Sequence, residues 1–335
     1  MTCQKPTLGK SSGVSFVLQP EGPVATASLM PIPDLPAGLH VFERGWLSAN
    51  NILFASGDET LMVDSSYCTH SAQTLALVEG VLGERALDFL VNTHLHSDHC
   101  GGNAALQARY PALETLIPPG QASHVAQWDP VALTYVPTGQ LCPQFQFNRT
   151  LQPGTQLLFG TSLWQVHAAA GHDPHSLVFF EPAKRILISA DALWENGFGV
   201  VFPELEGVDA FAEVAATLDM IEQMNPKIVI PGHGRVFAYT PEVLARARQR
   251  LDTFVKNPHK HARHAVKVLL KFKLLETQRQ SFDEFAQWAI TTPYFMQIRE
   301  RFFNGVSVRP WIEQLCAELI AAGVASKEGA YIQNA

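Results

Sequence analysis

The sequence has little of what marks a membrane protein or an exported one. None of its apolar runs approaches the ~20 residues that cross a bilayer. The stretch from Met1 to Gly13 carries Lys5 and Lys10 but lacks the apolar core of a secretory signal. Its five cysteines show no pairing spacing, which favours reduced thiols over a disulfide framework. These absences predict a cytoplasmic protein that makes no membrane contact.

Charged residues are also few, at 16% of the chain, whereas apolar residues make up 47%. A chain of this composition can bury a core, which excludes a disordered or fibrous class. Its length of 335 residues exceeds what one core usually serves and predicts two domains.

Four side chains that can bind a metal occur within six residues, namely His94, His96, Asp98 and His99. Imidazole nitrogen and carboxylate oxygen are the ligands that zinc-like ions take. Neighbours in so short a run point in different directions and cannot all reach one ion. A tight loop can divide them, with His94 and His96 on one ion and Asp98 and His99 on a second, and that division requires further ligands downstream.

The surroundings of this motif predict a loop between a strand and a helix. The apolar run 86–93 is typical of a buried strand that ends at the motif. Gly101 and Gly102 permit a tight turn after it. Asn103 is expected to cap the helix that follows.

The spacing His94-x-His96-x-Asp98-His99 resembles the signature of the metallo-β-lactamase superfamily of hydrolases. Other motifs of that family are matched in the same order over roughly residues 35 to 240: Asp64 after an apolar run, His172 in a Gly-flanked turn, Asp191 at the end of the strand 185–190, and His233 in a second Gly-flanked turn. The resemblance implies an α/β fold of the αββα type. In that fold two mixed β-sheets pack face to face, helices cover the outside, and the site lies on loops at one edge.

Carried over residue by residue, the resemblance implies two divalent metal ions. The first would be held by His94, His96 and His172, the second by Asp98, His99 and His233, and Asp191 would bridge them. Zinc is the expected metal, with iron, manganese or cobalt as alternatives. A hydroxide between the ions would be the nucleophile.

Two aspartates have further implied roles. Asp98 is the expected catalytic residue, placed to accept and return a proton. Asp64 is expected to accept a hydrogen bond from the second ring nitrogen of a metal-binding histidine.

Four more residues are candidates for the substrate pocket. His175 either faces the substrate as a hydrogen-bond donor or acid, or lies at the surface. Trp194, Phe198 and Phe202 follow Asp191 closely, so they either line an apolar pocket or belong to the core. The Pro-rich stretch 119–165 is compatible with two interpretations, a lid over the site or a packed insertion.

The chain divides near residue 240, which predicts an N-terminal arm at 1–30, a catalytic domain at 31–240 and a helical domain at 241–335. Helices are expected over 241–255, 261–277 and 310–322, and Ser281-x-x-Glu284 is a capping box that opens another. The tail 324–332 is expected to form a small hairpin. Helices followed by a hairpin resemble a winged-helix domain, which a lactamase-like, glyoxalase II-like subgroup carries.

Charge is distributed unevenly between the two parts. Residues 1–240 contain 10 Lys and Arg against 22 Asp and Glu, whereas residues 241–335 contain 14 against 9. Basic residues concentrate in two C-terminal helices, where they form either a phosphate-binding patch or an ordinary solvated face. The helix 310–322 has no Lys or Arg, which argues against sequence-specific reading of nucleic acid.

Several functions are compatible with these features. The favoured one is a metal-dependent hydrolase of a small acyl substrate, that is, a thioester, lactone or ester. The alternatives are a ribonuclease or phosphodiesterase, a β-lactam hydrolase, and a module that uses metal only structurally. A homodimer is the expected assembly, because dimers are the commonest one.

Overall fold

The structure is a computed structural model that describes residues 35–335. The predicted N-terminal arm, residues 1–30, therefore lies outside the described residues. Across residues 35–335 the chain forms three β-sheets with helices around them. Within this range no helix combines the length and the apolar character that crossing a membrane requires.

The first sheet has six strands in the order β1-β2-β3-β4-β5-β6. They are β1 (Leu39–Phe42), β2 (Asn51–Phe54), β3 (Leu61–Val63), β4 (Phe89–Val91), β5 (Glu114–Ile117) and β6 (Arg149–Thr150). The connections contain α1 (Ser71–Leu82), α2 (Ser97–Cys100), α3 (Asn103–Arg109), α4 (Ala122–Gln127) and α5 (Tyr135–Thr138). The pairs from β1 to β3 are antiparallel and those from β3 to β6 are parallel.

The second sheet also has six strands, in the order β12-β11-β10-β9-β8-β7. They are β7 (Gln156–Phe159), β8 (Ser162–Ala168), β9 (Leu177–Glu181), β10 (Ile186–Ala190), β11 (Ile228–Pro231) and β12 (Phe237–Ala238). Within this sheet only β10 and β11 pair in parallel, and the connection between them carries α6 (Phe202–Glu206) and α7 (Phe211–Met224).

Alternation along the strands decides which face each side chain covers. In β2, Ile52 packs into the core between the two sheets, whereas Leu53 packs outward with α1 and α3. In β10, Ile188 packs into the same inner core and Leu187 packs outward with α7. Two mixed sheets therefore pack face to face with helices outside, and the predicted αββα architecture is confirmed.

Residues 119–148 form a packed insertion, whereas the rest of the predicted stretch, 149–165, belongs to β6, β7 and β8 of the two sheets. Tyr135 and Phe145 are buried in a small core with Leu95, Ile117 and Val125, which lie beside the metal-binding motif and in neighbouring elements. This insertion packs against the metal-binding motif and does not form a free lid over it.

The C-terminal region is helical, as predicted. It contains α8 (Pro241–Lys256), α9 (Pro258–Thr277), α10 (Phe282–Thr291), α11 (Pro293–Phe302) and α12 (Val308–Ala321). Three short strands form the third sheet, β13 (Arg279–Ser281), β14 (Ala325–Glu328) and β15 (Tyr331–Asn334), in the order β13-β15-β14. The hairpin of β14 and β15 matches the prediction, whereas α11 and β13 were not predicted. The resemblance to a winged helix stays a prediction.

Packing divides the chain slightly later than residue 240. Helix α8 contributes Val243, Leu244 and Phe254 to the core on the outer face of the second sheet, together with α7. The C-terminal core is built mainly from α9 onward, with Ala262 and Val266, and also takes in Val200 and Leu205. The domain boundaries stay a prediction, and by packing α8 belongs with the αββα sandwich.

The capping box predicted at Ser281 does not form among the described residues. Helix α10 does begin there, but the Ser281 side chain makes no capping hydrogen bond. Ser281 pairs with Tyr331 in the third sheet, and the N–H of Phe282 donates to the carbonyl of Ala330. The turn between β14 and β15 therefore accepts from the first N–H group of α10, and the Ser281 hydroxyl does not serve the N–H of Glu284 as a capping box would.

Candidate metal centre

The metal-binding motif lies where β4 ends. Strand β4 stops at Val91, and the four-residue helix α2 begins just after His96, so Asp98 and His99 lie on a helical turn rather than on an open loop. Gly102 packs against the backbone at Ser65, where an added Cβ would lie 2.2 Å from the Ser65 carbonyl oxygen. This close contact holds the motif against the end of β3.

Asn103 does not cap α3 as predicted, because buried hydrogen bonds occupy its side chain. Its amide donates to the Asn92 side chain at 2.7 Å, and its oxygen accepts from Ser65 at 2.6 Å. These buried polar groups satisfy one another and join both ends of the motif to the turn after β3.

Three histidine rings converge at the first group of potential ligands. His96 Nδ1 lies 3.1 Å from His94 Nε2 and 2.8 Å from His172 Nε2. All three ligand atoms fall within 4.8 Å of one another, which is the spacing that one shared cation requires.

A second group consists of Asp98, His99 and His233, also within 4.8 Å. His233 Nε2 lies 3.1 Å from Asp98 Oδ2. Asp191 lies between the two groups, because its Oδ2 is 3.4 Å from His172 Nε2 and 3.5 Å from His99 Nε2. The structure thus brings together all seven predicted ligands in the predicted division.

Four of the five histidines have a hydrogen-bond partner for the ring nitrogen that points away from the cluster. The pairs are His94 Nδ1 with Thr93 Oγ1 at 3.1 Å, His99 Nδ1 with Asp64 Oδ2 at 2.7 Å, His172 Nδ1 with the Val200 carbonyl at 2.5 Å, and His233 Nδ1 with the Gly45 carbonyl at 3.1 Å. For His96, Asp173 Oδ2 lies 3.7 Å from Nε2, an ion-pair contact too long for a hydrogen bond. An acceptor on the outer nitrogen keeps the proton there, which leaves the inner nitrogen free to bind a metal.

Asp64 connects to both groups. It accepts from His99 directly, and it accepts the Thr93 hydroxyl at 2.8 Å and the Thr93 N–H at 2.9 Å. Since Thr93 also contacts His94, one carboxylate orients a histidine of each group. This is the place predicted for Asp64.

The electrostatics of His94, His172 and Asp191 match the protonation states that metal binding requires. Burial and the neighbouring histidines hold the pKa of His94 well below its usual range, and burial with His96 lowers the pKa of His172 to about 4. Burial alone would raise the pKa of Asp191, but His99 and His233 outweigh it and hold that pKa well below the ordinary value. At His99 and His233 burial would lower the pKa, but Asp191 outweighs it, with Asp64 beside His99 and Asp98 beside His233, and raises both pKa values.

One atom of the cluster has an unmet hydrogen-bonding capacity. His99 Nε2 is buried and makes no hydrogen bond within residues 35–335. A buried nitrogen without a partner costs free energy, and a cation shared with Asp98 and His233 would satisfy it. The donor set, five imidazoles and two carboxylates, therefore fits two divalent metal ions. That these residues hold two metal ions stays a prediction.

Aromatic side chains surround the opening of the cluster. Trp194 meets the His233 ring edge-on at 5.6 Å, and its indole N–H donates to Asp191 Oδ1 at 3.2 Å. Phe202 contacts the rings of His96 and His172 at 5.1 and 5.5 Å. Their role in a substrate pocket stays a prediction.

Trp46 is a residue of this opening that the sequence did not reveal. Its ring stacks on His233 at 5.6 Å with an interplanar angle of 12°, yet it is 58% exposed. The only signal in the sequence is its position after Gly45, whose carbonyl accepts from His233. The sequence likewise marks Asp173, the partner of His96, only as a residue beside His172.

The other two pocket candidates have different positions. Phe198 is buried, and its ring packs against Phe254 in the core of the second sheet. Its place in a substrate pocket stays a prediction. The ring of His175 lies against Gly120, where an added Cβ would be 2.1 Å from Nδ1. The role of His175 toward a substrate stays a prediction.

Comparison with known proteins agrees with this fold and this arrangement. Residues 44–233 match the family model of the metallo-beta-lactamase superfamily. The match covers more than half of the chain, so the protein belongs to this superfamily, and the resemblance read from its motifs is confirmed.

Two curated relatives are hydroxyacylglutathione hydrolases. The protein from Brucella anthropi is 26% identical over 168 residues, which cover 50% of this chain and 53% of the relative. The protein from Thermosynechococcus vestitus is 27% identical over 179 residues, which cover 52% of this chain and 58% of the relative. The chain thus spans little more than half the length of these relatives.

A solved structure shows the fold over a longer stretch. A metallo-beta-lactamase family protein from Thermus thermophilus aligns with a TM-score of 0.52 at 17% identity, covering 89% of this chain and 99% of that one. At this identity the likeness concerns the fold alone.

Proposed function

We propose that the protein is a metal-dependent hydrolase that uses two divalent metal ions to cleave a small acyl substrate, that is, a thioester, lactone or ester. The observation that carries the proposal is the position of Asp191 between two groups of three potential ligands. Bound there, two cations supply a nucleophile from water at neutral pH and polarise the substrate carbonyl.

The residues of the chain have distinct tasks in this reaction. Asp98 is among the more exposed members of the cluster, with 16% of its side chain open, and its Oδ2 is paired with His233. It is therefore placed to take a proton from water and return it to the leaving alcohol or thiol. Trp46, Trp194 and Phe202 form an apolar rim that suits the acyl group.

The names of the relatives support a thioester among these substrates. Both are called hydroxyacylglutathione hydrolases. Their identity with this chain is 26% and 27%, so the substrate class is carried over only as a proposal.

The alternative of RNA or another phosphodiester as substrate is weakened by the basic helices themselves. The predicted patch consists of nine cations in the two basic helices, namely Arg246, Arg248, Arg250, Lys256, Lys260, Arg263, Lys267, Lys271 and Lys273. Seven of them have partners among the described residues: Arg246 with the Glu195 carbonyl, Arg248 with Asp219 and Glu222, Arg250 with His264, Arg263 and Lys267 with Glu318, Lys271 with the Val324 carbonyl, and Lys273 with Glu276. Cations already occupied by internal partners have less to gain from phosphates.

A substrate panel tests the proposal. The metal-loaded protein is assayed on a thioester, a lactone, an aryl ester, a β-lactam, an aryl phosphodiester and a single-stranded RNA. His96→Ala is the blank, and His40→Ala, an exposed histidine on β1, is the matched control. We expect turnover of an acyl substrate that His96→Ala lowers by more than about 100-fold and His40→Ala leaves unchanged.

Metal content is measured on the same samples, and we expect two ions per chain, with zinc as the expected element. Turnover of RNA or the phosphodiester alone would move the function to phosphoryl transfer. A single ion per chain would overturn the dinuclear proposal. The cytoplasmic location and the homodimer stay predictions.

A further inference from the structure

The segment from Gly197 to Phe202, called here the 197–202 segment, lies between the metal cluster and the C-terminal region. It follows Asp191 by a few residues and leads into α6. One side of it contacts potential metal ligands, and the other side contacts α8, α9 and α11. Its backbone is therefore a physical connection between the two parts of the protein.

The inner contacts fix two of the ligands. The Gly199 N–H donates to the Asp191 carbonyl at 2.9 Å, and His172 Nδ1–H donates to the Val200 carbonyl at 2.5 Å. The backbone touches the imidazole itself, because a Cβ added at Gly199 would lie 2.4 Å from His172 Nδ1. The orientation of the His172 ring thus depends on where this backbone lies.

The outer contacts come from three C-terminal helices. Arg250 of α8 packs over the Phe198 ring at 5.6 Å, and Tyr294 of α11 donates to the Phe202 carbonyl at 3.4 Å. His261, in the first turns of α9, accepts the Val201 N–H through Nε2 at 3.1 Å. The contact with His261 is the one that reaches the same peptide group as His172, because the Val200 carbonyl and the Val201 N–H belong to one amide.

The surroundings of His261 hold its ring in one position and leave Nε2 free to accept a hydrogen bond. Its side chain is 1% exposed and is held between Phe211 at 5.4 Å and Phe254 at 4.8 Å. Burial, and to a lesser degree the charge of Arg250, lowers the pKa of His261 to about 3. The ring is therefore neutral at ordinary pH, with Nε2 available as an acceptor.

We propose that His261 is a positioning residue of the metal centre, acting on His172 through the amide between Val200 and Val201. The chain of hydrogen bonds runs from His172 Nδ1–H to the amide carbonyl and from the amide N–H to His261 Nε2. Acceptance of the N–H by His261 polarises the amide and strengthens its carbonyl as the partner of His172. The C-terminal region is thereby part of the metal site, although it supplies no predicted ligand.

This inference rests on the proposed metal function, and its test separates the two. His261→Phe fills the same space without an acceptor, and His261→Gln keeps an acceptor in the amide oxygen. Leu270→Ala is the matched control, because Leu270 is a fully buried residue of the same helix. Its truncation destabilises the C-terminal core, to which Val200 also contributes, but removes neither hydrogen bond of the amide. The full-length chain is used throughout.

The first readout is metal affinity, measured by chelator competition with Co²⁺, together with the visible spectrum of the Co²⁺ protein. We expect His261→Phe to weaken one of the two ions by about 10–100-fold, the range for loss of an outer partner of a metal-binding histidine, and to shift the Co²⁺ bands. His261→Gln should restore most of the affinity. Leu270→Ala should lower the melting temperature but leave affinity and spectrum unchanged. Equal weakening by His261→Phe and Leu270→Ala would overturn the inference.

The second readout needs no metal. Long-range ¹H–¹⁵N spectra of the metal-free protein report which nitrogen of His172 is protonated. We expect Nδ1 in the wild type, and a mixture of tautomers with faster exchange of the Val201 amide hydrogen in His261→Phe. If the wild type binds no divalent cation, the proposed function fails, and this second readout alone decides the inference. An unchanged His172 spectrum in His261→Phe would then refute it.

Discussion

Asp64 Oδ2 lies 2.7 Å from His99 Nδ1, and this contact joins the turn after β3 to the metal-binding motif. The same carboxylate accepts the N–H and the hydroxyl of Thr93. It therefore holds the backbone of the motif and the ring of one ligand at once. A single buried carboxylate thus contributes both to stability and to the geometry of the cluster.

Replacing this carboxylate tests its double role. Asp64→Asn keeps the size but removes the charge that strengthens the hydrogen bond to His99. We expect metal affinity to fall about 10–100-fold and the free energy of unfolding to fall by about 1–3 kcal/mol. Chelator competition and denaturant unfolding measure these effects.

Asp88→Asn is the matched control for that experiment. Asp88 likewise accepts a backbone N–H and a hydroxyl, both from Thr60, and these bonds lie away from the histidine cluster. We expect it to lose stability while keeping its metal affinity. A normal affinity in Asp64→Asn would contradict the role given to Asp64.

Gly232 is a residue beside the cluster where there is no space for a larger side chain. A Cβ added there would lie 2.2 Å from Asp191 Oδ1 and 3.0 Å from His99 Cε1. Gly232→Ala must therefore displace Asp191, and we expect activity to fall by more than about 100-fold. Gly234→Ala is the control: its Cβ would meet no atom of residues 35–335 within 4 Å, although its φ of +84° makes alanine strained. We expect Gly234→Ala to cost only stability, and equal activity losses in the two variants would argue against the steric explanation.

At Ala190 we expect a substitution that increases the stability of the protein. Its φ of +46° lies in the left-handed region, where a Cβ costs ~1–2 kcal/mol relative to glycine. Ala190→Gly should therefore raise the free energy of unfolding by about 1 kcal/mol, after the greater entropy of glycine in the unfolded chain is subtracted. Ala192→Gly, two residues further along, is expected to lower it. Denaturant unfolding of the metal-free variants decides between these signs.

The buried imidazole of His261 predicts a pH dependence of stability. Its pKa of about 3 in the folded protein lies below the ~6.5 of an unfolded histidine. Between these values the unfolded state binds a proton that the folded state does not. The contribution of His261 to stability is therefore fully present above pH ~6.5 and is lost as the pH falls toward 3, by up to ~1.4 kcal/mol per pH unit.

His261→Gln isolates this effect, because glutamine does not titrate. Unfolding of the metal-free wild type and variant is measured from pH 7 to pH 4. We expect the stability difference to narrow, or to change sign, as the pH falls. Parallel curves over this range would show that His261 titrates normally.

The metal ligands could be predicted from the sequence because the motif is compact. His94 to His99 follow β4 of the first sheet, whereas Asp191 and His233 follow β10 and β11, which pair in parallel in the second sheet. The order of these motifs along the chain, through its resemblance to the superfamily, implied the full set of ligands.

Apart from Asp64, the partners of the ligands were not predicted, and some of them come from distant parts of the chain. Gly45 lies 188 residues before His233, and His261 lies 60 residues after Val201. Phe198 shows the same limit: distance along the chain from Asp191 did not reveal that its ring faces the core. At Asn103 and Ser281, buried or strand partners replaced the capping contacts that local sequence rules favour.

Helix α11 was missed for a different reason. It spans only Pro293–Phe302, and its buried residues Tyr294, Phe295 and Ile298 give a short pattern. Thr292 followed by Pro293 is a helix start signal that was present in the sequence. The three charged residues at 299–301 interrupt the apolar pattern by which this helix could be predicted.

The stacking of Trp46 on His233 gives the protein a built-in optical reporter. An indole that is mostly open to water and stacked on a predicted metal ligand emits light whose intensity and colour depend on its immediate neighbours. Paramagnetic ions such as Co²⁺ at the cluster would quench that emission, and an apolar acyl group over the ring would shift it toward the blue. The fluorescence of Trp46 can thus report the occupancy of the site without an added label.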